Sequence, residues 1–184
     1  MTFLESILSF VDGYFRGIYI SVILVLILKR IFENKEQQNN SLLIIKWIII
    51  GYAIISVLRL IFGLVFNESE FLSFVNRATG PYYFSFIAIT ISSLVLPFFL
   101  LINRIGQKVW LILFLSVLMN LGWLFESFVI HVTSIHQDIV GVPNPSYESL
   151  LPYKREVDVI YKGVILGLVI FISNFIYQKK YRNV

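Results

Sequence analysis

The sequence predicts an all-α fold: a polytopic membrane bundle of five transmembrane helices in one domain covering residues 1–184. Three observations carry that expectation. Hydrophobic residues make up 58% of the chain and charged residues 14%, against about 25% charged in soluble domains. The mean hydropathy is +0.82. Apolar runs of about 20 residues, enough to cross roughly 30 Å of hydrocarbon at 1.5 Å per residue, recur along the sequence.

The first run, Phe10 to Leu28, is the weakest, because Asp12 and Arg16 interrupt it. Their i, i+4 spacing lets them pair on one face at the outer end of the helix. Glu5 and Asp12 break the apolar stretch and no small-residue cleavage site follows, so the segment reads as a retained helix and not as a signal peptide. The polar stretch Glu33 to Ser41 is expected to be a solvated loop, so that residues 1–40 form an extra first helix and loop ahead of the region 41–184. The second run is Leu42 to Phe66, and the third is Tyr82 to Ile102, where Pro97 should kink the helix or release a carbonyl. Val109 to His131 is the fourth. The fifth is Val159 to Tyr177, in which Gly163 and Gly167 form a GxxxG pattern that permits close helix packing.

Basic residues near the helix ends set the expected orientation. Lys29, Arg30, Lys35, Lys46, Arg104, Lys108, Lys179, Lys180 and Arg182 fall on one side, and the smaller set Arg16, Arg77, Lys154, Arg155 and Lys162 on the other. The N-terminal end is therefore expected outside and the C-terminal end inside. The loops Asn67 to Pro81 and Val132 to Asp158 are expected on the outer face.

Composition also excludes function classes. With Cys 0 there is no disulfide, no covalent haem attachment, no iron–sulfur ligation and no thiolate metal site. The net charge of +4 is dispersed at the ends of apolar runs, which reads as anchoring in a lipid bilayer and not as a nucleic-acid face. His131 and His136 lack an evident third ligand, so no metal is expected.

An ionisable residue at membrane depth needs a partner, since a lone charge at the bilayer centre costs at least about 2.5 kcal/mol. Arg59 in the second run and Glu126 in the fourth lie about 10 Å and 7.5 Å from the outer ends of their runs. Matching depths predict an Arg59–Glu126 ion pair. Its role is either to fix helix register or to handle protons or face a ligand. Further along, Asn120, Ser127 and His131 share one face of the fourth helix, and Glu126 another. Glu126, His131, Thr133, Ser134, His136 and Asp138 form a dense titratable patch at the outer interface, and histidine beside carboxylates relays protons near neutral pH.

Three stretches carry a family resemblance: VNRATGPYY from Val75 to Tyr83, Leu94 to Pro97, and GWLFESFVIHVTSIHQD from Gly122 to Asp138. Together they resemble the NrfD/PsrC-type (polysulfide reductase) membrane subunits, and most of all the NrfD-like quinol-interacting subunit of alternative complex III. The matching motif positions include Asn76, Arg77, Gly80, Pro81, Tyr82, Pro97, Glu126, Thr133, Ser134, His136 and Asp138. Ser127 and Gln137 stand where that family has arginine. Family members carry two four-helix bundles, and this chain corresponds to the second, over residues 41–184.

The resemblance implies an integral subunit of a respiratory or related oxidoreductase complex in the bacterial cytoplasmic membrane. Partner subunits would carry haem, iron–sulfur or molybdenum centres, and this chain would hold no covalent cofactor. Its implied role is anchoring, with assistance to quinol-linked proton transfer through Glu126, His136, Asp138 and His131, and with Arg59 as counter-ion. The alternatives are a non-catalytic membrane scaffold or assembly protein that recruits a partner, and then a small carrier or channel.

Overall fold

A computed structural model describes residues 3–32, 35–102, 104–125, 128 and 154–181. Among them every regular element is helical. The chain runs through α1 (Phe3–Arg16), α2 (Ile18–Phe32), α3 (Lys35–Phe66), α4 (Glu68–Thr79) and α5 (Tyr83–Leu94), then a 3-10 segment (Leu96–Leu101), α6 (Val109–Met119) and α7 (Lys154–Tyr181).

Three helices are long and apolar enough to cross a membrane: Asn40–Phe66, Tyr83–Leu101 and Glu156–Tyr177. The pair Ser6–Arg16 and Ile18–Leu28 makes a fourth if its 45° bend lies within one span. Over an 18-residue apolar window in each, only 17%, 11% and 28% of the residues are buried. Their apolar side chains, Trp47, Ile61, Phe62, Phe84 and Val169 among them, face outward as lipid requires. The protein is thus a multi-pass membrane protein.

Several elements differ from the expectation. The first run is two helices, because at Gly17 the amide donates to the Tyr14 carbonyl at 3.1 Å and the helix restarts at Ile18. The polar stretch before span two is helical from Lys35 onward, since Lys, Glu and Gln are strong helix formers that extend the span instead of ending it. The stretch Asn67 to Pro81, expected as a loop, contains α4, an amphipathic helix with no buried residue. Asn67 caps it: the side-chain carbonyl accepts from the amides of Ser69 and Glu70 at 3.2 and 3.4 Å, and the side-chain amide donates to Glu70 Oε1 at 3.2 Å. Pro97 lacks the N–H that helix continuation needs, and the third span tightens there into the 3-10 segment, with Pro97 buried. In the fourth run α6 ends at Met119 and residues 121–125 are again helical. The remainder of that run, through His131, lies outside the described residues except Phe128.

The core forms where α2, α3 and α7 meet, with α6 and the 3-10 segment closing it. Ile18, Val22, Val25, Ile45, Ile49, Leu100, Ile112 and Ile170 are among its buried residues. Small residues set the tightest contact. The Gly163 α-carbon lies 2.6 Å from where a Cβ on Gly17 would stand, and a Cβ on Gly167 would meet the Ser21 α-carbon at 3.1 Å. Ser21 donates to the Gly163 carbonyl at 2.7 Å, so GxxxS on α2 and GxxxG on α7 lock backbone to backbone. A second polar bridge joins α7 to α3, where the Asn174 amide donates to Ser41 Oγ at 3.0 Å.

Candidate functional site

Span two carries a polar stripe. Tyr52, Ser56 and Arg59 are spaced i, i+4, i+7 and so lie on one face of α3. Two members of that stripe grip one carboxylate on α1: the Tyr52 hydroxyl donates to Asp12 Oδ1 at 2.9 Å, and Arg59 Nη1 donates to Asp12 Oδ2 at 3.1 Å. The Tyr52 ring stacks on Phe15, centroids 3.5 Å apart and planes 6° from parallel, which fixes the hydroxyl. The Asp12 side chain is 27% exposed and that of Arg59 61%. The carboxylate is therefore the anchored partner, and the guanidinium is the one that extends into open space.

This network stands between two cavities. On the Tyr52 side, Phe10, Tyr14, Phe15, Ile55, Leu166 and Val169 help line an almost wholly apolar cavity of about 570 Å³. On the Arg59 side lies a cavity of about 660 Å³ beneath α4 with a mixed lining, in which Arg59, Glu70, Arg77 and Thr90 stand among apolar walls such as Phe74 and Phe86. Tyr52 borders the first cavity, Arg59 the second, and Asp12 hydrogen-bonds to both. Both volumes fall within the range of small-molecule sites.

The predicted residues fall as follows. Arg59 pairs with Asp12, and the Asp12 carboxylate is taken by Arg59 and Tyr52 instead of by Arg16 one turn away. Glu126, the predicted partner of Arg59, lies outside the described residues, as do His131, Thr133, Ser134, His136 and Asp138. Asn76 and Arg77 sit in the last turns of α4, and Arg77 lines the cavity beneath it. Gly80 ends that helix, and a Cβ there would stand 2.7 Å from the Asn76 carbonyl oxygen. Pro81 and Tyr82 form the turn into α5, where the Tyr83 amide donates to the Gly80 carbonyl at 3.1 Å. Asn120 is buried at the end of α6, donating to the Ser116 carbonyl at 2.9 Å. Among the described residues no group of three or more His, Asp or Glu side chains could hold a metal ion.

Asp12 and Tyr52 are the site residues that the sequence reading missed. The signal for Tyr52 was its two-turn spacing from Arg59. For Asp12 it was a carboxylate inside an apolar run, which an adjacent arginine masked as a local pair.

No family model, no curated protein and no solved structure matches the chain.

Proposed function

We propose that this chain is an integral subunit of the bacterial cytoplasmic membrane, related to the second bundle of NrfD-type subunits, that anchors a larger oxidoreductase complex and assists quinol-linked proton transfer. The proposal includes five crossings, with the N-terminal end outside and the C-terminal end inside. One observation supports it above the others: Tyr52, Asp12 and Arg59 form a hydrogen-bonded line from an apolar cavity to one of mixed lining.

A quinol ring suits the apolar cavity on chemical grounds. Tyr14, Phe15 and Tyr52 give aromatic walls, and the Tyr52 hydroxyl and the Asp12 carboxylate are the polar groups beside them. When bound, a quinol supplies two electrons and two protons, the electrons going to the centres of a partner subunit. Within this chain Tyr52 accepts a quinol hydroxyl proton as it passes its own to Asp12, and so ends neutral. Arg59 steadies the carboxylate in its charged form and releases it toward the cavity beneath α4 as the proton arrives. Glu126, His131, His136 and Asp138 belong to the proposal as further proton-transfer groups, on their titration chemistry.

The test is to purify the tagged chain with its native complex, identify co-purifying haem, iron–sulfur or molybdenum subunits, and measure quinol-driven electron transfer. Asp12→Asn and Glu126→Gln should each lower turnover with assembly intact. Unchanged turnover in both would remove the relay. Co-purification without any redox subunit would favour the scaffold reading, which draws on Ser127 and Gln137 replacing the family's arginines.

A further inference from the structure

Lys46 lies within span two, six residues beyond Asn40, yet only 6% of its surface is exposed. The aliphatic stem is what is buried, and the ammonium at its tip reaches the surface of a cavity, where it is open to an external partner. Among the described residues Lys46 is in neither the Arg59–Asp12 nor the Lys162–Asp158 ion pair, and no hydrogen bond to its Nζ is seen. Its polar-group contact is the face of Trp47, with Nζ 5.9 Å from the ring centroid, at the outer limit of a cation–π approach. The side chain lines a cavity of about 310 Å³ whose other walls are Asn40, Leu42, Leu43, Gly106, Gln107 and Ile112.

The surroundings of that cavity favour negative charge. Asn40 and Gln107 offer side-chain amides at its rim. Helix α6 starts immediately after Gln107 and Lys108, and no side chain caps it. The Leu111 and Ile112 amides donate to the Lys108 carbonyl, so the α6 start adds only the positive end of its dipole near the cavity. Gly106 permits the approach of this turn, because a Cβ there would collide with the Leu100 backbone carbonyl. Among the described residues no acidic side chain lines the cavity.

We propose that this cavity is a binding site for a phosphate group, and that the group is the phosphodiester of an anionic glycerophospholipid. The phosphate would seat against Lys46 Nζ and the side-chain amides of Gln107 and Asn40. A lipid source is favoured over free phosphate because the same cavity has apolar walls at Leu42, Leu43 and Ile112, and Leu43 is exposed on the lipid-facing surface. Acyl chains would leave the headgroup along that side. Arg104 and Lys108 flank the same end of the bundle, adding to the local positive field.

The test uses the full chain, purified in neutral detergent and stripped of lipid. Native mass spectrometry should show phosphatidylglycerol retained over phosphatidylcholine by roughly tenfold or more, as a charge-assisted contact gives. Lys46→Met should abolish that preference while leaving phosphatidylcholine binding unchanged, and Gln107→Leu should weaken it. In lipid-free detergent Lys46→Met should melt no lower than the wild type, because it removes a charge that has no partner among the described residues. Phosphatidylglycerol should then raise the melting temperature of the wild type only. A preference that survives Lys46→Met overturns the proposal, as does a Lys46→Met chain that unfolds without lipid. Inorganic phosphate that protects as well as phosphatidylglycerol would overturn the lipid assignment.

Discussion

Asp12 and Arg59 are 47 residues apart in sequence, and their side chains meet at 3.1 Å, tying the bent first span to the second at one level of the bundle. In lipid neither charge can be left alone cheaply. Asp12→Asn and Arg59→Met should therefore each destabilise the protein by on the order of 2 kcal/mol in bicelles, read from equilibrium unfolding in denaturing detergent. The double variant should lose much less than the sum, with a coupling of about 0.5–3 kcal/mol. Losses that simply add would show that the contact carries no energy of its own.

How much of this was legible without coordinates follows from these same residues. An arginine seven positions inside an apolar run demands a counter-ion, and composition alone states that demand. It does not state which chain segment answers, because helix neighbours are set by packing between distant small residues. Gly163 and Gly167 announce a contact face, but the pattern does not say that Gly17 and Ser21 fill it. Helix α4 was legible and overlooked: Asn67 followed three residues later by Glu70 is a capping signature, and the residues after it alternate at helical spacing. The bend at Gly17 was not legible, since glycine within a membrane helix is common and breaks it only where a neighbour presses in.

Tyr52→Phe separates the stacking of this residue from its chemistry. The ring remains to stack on Phe15, so stability should change by about 1 kcal/mol or less, the worth of one hydrogen bond. Quinol-driven turnover of the purified complex should nevertheless fall, with assembly unchanged by size-exclusion profile. Turnover equal to wild type would take Tyr52 out of the proton path.

The three glycines at hand predict opposite signs for one substitution. Gly17→Ala and Gly163→Ala would each force a methyl group into backbone of the facing helix, at 2.6 and 2.5 Å, where no side chain can swing away. A loss of about 1–3 kcal/mol or more is expected, as for an overpacked core. At Gly51 a Cβ meets nothing within 4 Å. Gly51→Ala sits within α3 and should be neutral or stabilising by about 0.5–1 kcal/mol, the usual helix-propensity difference. Unfolding of the three variants side by side checks the ordering, and a Gly51→Ala loss matching Gly17→Ala would show that helix flexibility and not close packing selects these residues.

Topology is open to a clean test because the chain has Cys 0, so any introduced cysteine is the sole thiol. Glu68, at the start of α4, and Gln107, just before α6, are both exposed and fall on opposite sides of the bundle in the proposed arrangement. The proposal puts the Gln107 end in the cytoplasm on the excess of Lys and Arg there. Glu68→Cys should then react with a membrane-impermeant maleimide in intact spheroplasts, and Gln107→Cys only after permeabilisation. Labelling of Gln107→Cys alone in intact cells would invert the bundle. It would also place Asp12, Arg59 and the cavity beneath α4 toward the cytoplasm, so that protons leaving Asp12 through that cavity would be delivered to the wrong side for the proposed role.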